Sequence, residues 1–125
     1  MGIDALKNNS MMKHLIDSLE SGEDIGHYGR LVFTMVARYF LDEEEVIAWL
    51  QKDADCDEEK ARALVEQVSS KDYNPPTRER VLEWMKRQDF EICDKPEDPR
   101  ACNVYKDLQF PEELYKSLQQ FHAVG

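Results

Sequence analysis

No run of about 18 apolar residues occurs in the 125-residue chain, so no segment has the length of a membrane-spanning helix. Nor does a basic stretch followed by an apolar one open it, so no signal peptide is expected and the cytoplasm follows by default. Cysteine is scarce. Cys56, Cys93 and Cys102 form an odd set too sparse for a disulfide framework, which fits a reducing compartment. Positive charge is also in short supply: 16 Lys and Arg face 26 Asp and Glu, for a net charge of -10. Such a surface repels phosphate, which excludes coating of nucleic acid or membrane by bulk electrostatics and requires any anion site to be local. Strand-like alternation, internal repeats, a Gly-rich phosphate loop and a nucleophile with its base are all missing. An autonomous enzyme therefore has no acid-base or metal constellation to stand on.

What the chain does have is helical periodicity. At 42% hydrophobic it suits one domain with a core that forms without staples. The stretch from Ile25 to Phe40 is apolar on nearly every side, with Ile25, Leu31, Val32, Phe33, Met35, Val36, Tyr39 and Phe40 recurring too densely for a surface helix. This helix should be central. Its polar exceptions, His27, Arg30, Thr34 and Arg38, are spaced by three or four residues and stack along one face. Two accounts of this cationic seam stand side by side: Arg30 and Arg38 reach the acidic residues that follow, or the seam is an anion site.

Around that helix the remaining signals fall in order. Residues 1–24 read as an arm interrupted by Asn8, Asn9 and Ser10, then a short helix from about Ser10 to Glu20 ended by Ser21-Gly22. Asp42 caps a further helix, with Glu45 completing a capping box and Val46, Ile47 and Leu50 buried. After the acidic loop Asp53 to Asp57, Ala61, Leu64, Val65 and Val68 give another helical stripe, with Lys60, Arg62 and Glu66 off it. Pro75-Pro76 breaks the chain and pushes Asn74 from helical geometry. Thr77 caps a helix over roughly Arg78 to Arg87 with Val81, Leu82 and Met85 inward and Trp84 at the border.

Lys71, Arg78, Arg80, Lys86 and Arg87 make this the one locally basic region. An excess of this kind is ordinarily a solvated helix face; Tyr73 and Trp84 interleaved with it suit base stacking. From Asp89 to Gln109 a loop with one short helix is expected. Cys93 and Cys102 lie in it, without the four ligands of a closed metal site. Pro111 opens a last helix carrying Leu114, Leu118 and Phe121. The expected fold is all-α, an orthogonal bundle of about six helices with a loop-rich C-terminal third.

The order of His27-Tyr28-Gly29-Arg30, the helix capped by Asp42, Tyr73-Asn74-Pro75-Pro76-Thr77, Cys93 and Ala101-Cys102-Asn103-Val104-Tyr105 resembles the C-terminal domain of the large subunit of archaeal and eukaryotic DNA primase. The likeness spans Ile25 to Tyr105 within a helical domain placed at 25–125. Related helical domains accompany the primase-polymerases of plasmids and viruses. The resemblance implies a domain that holds an iron-sulfur cluster on four cysteines and helps a catalytic subunit engage template and initiating nucleotide. It also implies that the HxxR pair, here His27 and Arg30, contacts a 5′ triphosphate.

The departures are as specific as the matches. Cys93 and Cys102 stand where the third and fourth family cysteines would be, Arg78 occupies the second place, and the first has no counterpart. Two thiolates do not hold a cubane cluster, so no metal or cofactor is expected, and Cys93 and Cys102 should pack as small apolar residues or lie close as thiols. Lys60 and Arg62 replace tyrosines of the family helix before the proline break.

The resulting expectation is a non-catalytic domain of a primase system. It would bind single-stranded DNA template, a nucleotide triphosphate, or both, beside a separate catalytic domain or subunit, away from membranes. His27, Arg30 and Arg38 are the nucleotide-binding candidates. Lys60, Arg62, Lys71, Tyr73, Arg78 and Arg80 are the nucleic-acid-binding candidates. The alternative is an acidic protein-interaction module of a replication or defence complex, docking its Asp42 helix on a basic partner.

Overall fold

The central helix, α3 (Gly26–Ala37), is buried from Gly29 to Ala37, including its polar residues Arg30 and Thr34. The structure is a computed structural model that describes residues 2–124, with side chains described as far as Leu118. The other helices among the described residues are α1 (Gly2–Leu6), α2 (Ser10–Glu20), α4 (Glu43–Leu50), α5 (Glu58–Ser70), α6 (Arg78–Met85), α7 (Val104–Asp107) and α8 (Glu112–Val124). The fold is all-α, with no strand among those residues and no helix long and apolar enough to cross a membrane. α3 packs against α2, α4, α5 and α6, and α4 lies along α5.

Most helix ends sit where local chemistry puts them. The Asp42 carboxylate accepts from the Glu45 N–H while the Glu45 carboxylate accepts from the Asp42 N–H, which completes the capping box of α4. Asp57 and Thr77 cap α5 and α6 in the same way on one side. α3 stops at Ala37 rather than running to Phe40, because the chain must turn through Tyr39 to Leu41 to present Asp42 as the next cap.

Eight helices replace the six expected, and two of them are short. α1 replaces the irregular arm: Leu6 is fully buried, and Gly2 lies so close to the Phe40 carbonyl that a Cβ there would collide with it. α2 joins the same core through Met11, Met12, Leu15, Ile16 and Leu19. At its start Asn9 is buried with its oxygen accepting the Met12 N–H, while its amide donates to the Asp107 carboxylate at 2.9 Å and to the Asn103 carbonyl. One side chain thus caps α2 and holds α7 against it. In α8 Leu114 is buried; Phe121 lies outside the described side chains.

Cys93 and Cys102 correct the expectation of free thiols, for they are joined in a disulfide. Both are buried, at 0% and 2% exposure, so the part of the expectation that concerned packing agrees with the structure. The intervening loop contains Pro96 and Pro99 and is clasped by Arg78, whose guanidinium donates to the carbonyls of Pro96 and Ala101. This bond removes the cysteine argument for a reducing compartment.

A second tie crosses the C-terminal third. The Tyr105 hydroxyl donates to the Pro75 carbonyl, fixing α7 to the proline break. Burial, with Tyr39 and Tyr115 nearby, pushes the Tyr105 hydroxyl up to about 12. Because its folded pKa is raised, the stabilisation it contributes is complete below the unfolded value near 10 and is lost as pH climbs through about 12. Tyr105→Phe should cost about 1 kcal/mol at neutral pH and flatten the alkaline limb of the stability profile, as read by urea unfolding across pH. An alkaline limb unchanged in the variant would remove Tyr105 from that role.

Candidate nucleic-acid interface

One groove of about 510 Å³ opens on the face where the proline break crosses the bundle. Leu31 and Met35 of α3 form its floor one helical turn apart, and Gln67 of α5 and Leu118 of α8 stand at its sides. Tyr73 to Thr77 supply the connecting wall, α6 contributes Arg80 and Trp84, and α7 contributes Tyr105. Pro75 and Pro76 are buried, which fixes that wall against the core. Three aromatic rings therefore border a mainly apolar space of the size that takes small organic groups, about 300–1,000 Å³.

The aromatic surface continues beyond the groove. Trp84 stacks on Tyr28 with centroids 5.6 Å apart and planes 20° from parallel. His27, exposed at the start of α3, meets Tyr28 edge-on at 5.2 Å. On the other side the Arg80 guanidinium lies 5.9 Å from the centre of the Trp84 ring. His27, Tyr28, Trp84 and Arg80 thus form a run of π faces ended by a cation. Tyr28, Trp84 and Arg80 are held in place because α3 and α6 pack against each other.

The cationic seam of α3 has a different fate from the surface expected of an anion site. Arg30 is 8% exposed; its guanidinium donates to the Asp53 carboxylate at 3.1 Å and to Asp24 at 3.2 Å, with Asp55 at 3.8 Å. Asp53, itself buried, also accepts the Ile25 and Asp55 N–H groups. The positive end of α3 is similarly occupied. Asp24 accepts the Gly26 N–H and the Gln88 side-chain oxygen accepts the Tyr28 N–H, while the Gln88 amide donates back to the Ile25 carbonyl. Helix-end donors that bind anions elsewhere are thus satisfied from within.

Arg38 donates to Asp72 at 2.7 Å, to the Tyr73 carbonyl and to the Tyr39 hydroxyl. Asp72 takes a positive φ of 50° at the end of α5, and Arg38 holds that turn. The seam meets the acidic residues that surround it, in line with the first of its two accounts.

The nucleic-acid candidates divide in the same way. Arg62 forms a fork with the two Glu44 oxygens at 3.0 Å each and also meets Glu58, linking α4 to α5. These bonds hold the Glu44 carboxyl below its usual value and the Arg62 guanidinium above its own. Lys60 is 3.6 Å from Asp55. Arg78 is committed to the carbonyls of Pro96 and Ala101. Lys71 is exposed at the end of α5, beside the turn that leads to Tyr73. Only Tyr73 and Arg80 of the named residues line the groove, and among the described residues no carboxylate lies within 4 Å of Arg80.

Among the polar and aromatic groove residues, Gln67, Asn74 and Tyr105, with Tyr28 beside them, were not nominated for binding by the sequence reading. Trp84 was noted there as a base-stacking ring, while Tyr28, Asn74 and Tyr105 lay in the motifs that carry the family resemblance. Gln67 carried no signal at all.

A metal centre is not formed by the disulfide pair. The sulfurs of Cys93 and Cys102 and an Asp94 oxygen lie within 4.8 Å of one another, but bonded sulfurs are not the thiolates that ligate. Comparison of the chain with protein-family models, curated proteins and solved structures finds no match.

Proposed function

We propose that the protein is a non-catalytic helical domain of a DNA primase system that engages single-stranded template through the aromatic groove, beside a polymerase site on a separate domain or subunit. The observation that carries this reading is the run Tyr28–Trp84–Arg80 at the groove edge, since stacked rings with a guanidinium that no carboxylate of the described residues pairs are what sequence-tolerant binding of single strands uses. The primase assignment itself rests on the motif resemblance. The cytoplasmic placement is part of the same proposal. Strand binding is favoured over a triphosphate grip because Arg30 and Arg38 already neutralise carboxylates.

A protein with this charge holds few phosphates. With Arg80 and Lys71 as the contacts, two neutralised phosphates at about -0.7 each give a slope near -1.4 in log affinity against log salt. Stacking supplies the remainder and persists at high salt. Fluorescence anisotropy of a short labelled strand at several salt concentrations should show weak binding with this shallow slope. Arg80→Gln should reduce the slope by about half. A strand that fails to bind at low salt would end the proposal.

A second reading is favoured by the mainly apolar lining and the net charge of -10: an acidic helical protein-interaction module of a replication or defence complex. Under that reading nucleic acid does not bind and a protein segment occupies the groove.

A further inference from the structure

Stacking alone treats all bases alike, yet the groove carries groups that do not. Gln67 and Asn74, both exposed, line it together with the rings of Tyr73, Trp84 and Tyr105. A carboxamide presents a donor and an acceptor side by side, the pattern that matches the N6 donor and N7 acceptor of adenine. We infer that the groove takes one unstacked adenine of a single strand, its plane against Trp84 and its edge read by Asn74 or Gln67. This inference rests on the single-strand reading above and adds a base preference to it.

Four observations favour a single base as occupant. The volume of about 510 Å³ admits a two-ring base with its sugar, whereas a helix would need a longer trough. Trp84 has Tyr28 on one face and the Arg80 guanidinium over the ring on the other side, so an inserted base takes the guanidinium's place and extends the stack. Arg80, moved off the ring by the base, is then positioned to meet the backbone phosphate of the inserted nucleotide. Asn74 precedes Pro75, which holds it in extended geometry and removes backbone freedom that binding would otherwise have to freeze.

The test compares short labelled thymidylate strands carrying one internal adenine or one internal cytosine, titrated into the full chain. The adenine strand should bind about tenfold more tightly, the discrimination typical of one bidentate contact. Asn74→Ala combined with Gln67→Ala should abolish this preference while leaving the weaker, common binding in place. Trp84→Ala should weaken both strands by about tenfold or more, and Trp84→Phe, which keeps a ring on Tyr28 and guards against a folding defect, should restore most of the loss. Equal affinity for the two strands, or a preference that survives the double variant, overturns the adenine pocket and leaves strand binding standing. Absence of binding to either strand overturns both, and points to a protein occupant.

Discussion

Arg30→Ala should destabilise the domain by about 3–5 kcal/mol, the cost of leaving a buried carboxylate without its cation. The carboxylate is Asp53, whose side chain has no exposure and whose guanidinium partner is 10% exposed. Its two backbone donors, Ile25 and Asp55, remain in the variant but carry no full charge. A loss of that size is a large share of the total stability of a domain, about 5–15 kcal/mol, and should lower the melting temperature by roughly 10 °C or more.

The effect should depend on Asp53. Removing the carboxylate charge with Asp53→Asn in the Arg30→Ala background should recover part of the loss, because the unpaired anion is then gone. Differential scanning calorimetry of the two single variants and the double closes that cycle. An Arg30→Ala protein that melts within a degree or two of the parent would sink the structural role and return Arg30 to the ligand-binding candidates.

The contrast between Arg30 as an expected anion contact and Arg30 as an internal ion pair shows where a sequence stops informing. Spacing placed Arg30 and Thr34 on one face of the central helix, and the Thr34 hydroxyl does donate to the Arg30 carbonyl one turn away. Local rules were equally good at Asp42, Thr77 and Pro75-Pro76, where the deciding partner lies within a few residues. Arg30, Arg38, Arg62 and Arg78 each meet at least one partner 18 to 35 positions distant, beside nearer ones such as Asp24 and Glu58. Each guanidinium looks the same in the sequence whether it will meet a carboxylate, a carbonyl or a ligand. The groove was illegible for the same reason: its wall is assembled from α3, α5, α6, α7, α8 and the proline break, which lie far apart in the chain and meet only through tertiary packing.

Breaking the Cys93–Cys102 bond should weaken the domain by about 2.5–3 kcal/mol, because the disulfide closes a short loop in the unfolded chain. In the chain-entropy account the gain comes from that constraint, and native contacts add to it here. Arg78 fastens the loop through the Pro96 and Ala101 carbonyls, and the Cys93 N–H points at the Met85 sulfur. Reduction therefore leaves the loop held by these polar contacts and by the burial of Ile92, Cys93, Ala101 and Cys102, while the core around α3 keeps its packing. The expected signature is an earlier urea midpoint after reduction with near-native helical circular dichroism before unfolding.

Thiol counting checks the premise directly. In denaturant without reductant the protein should titrate one thiol, Cys56, and after reduction three. In the native protein Cys56 should react slowly, since it is buried and burial pushes its thiol up, away from the reactive thiolate. A Cys93→Ala, Cys102→Ala variant should unfold at the midpoint of the reduced parent and be insensitive to reductant, which separates the bond from any general effect of the reagent. Three titratable thiols in freshly denatured, unreduced protein would show that the two cysteines stay apart, and the loop would then owe its shape to Arg78 and the prolines alone.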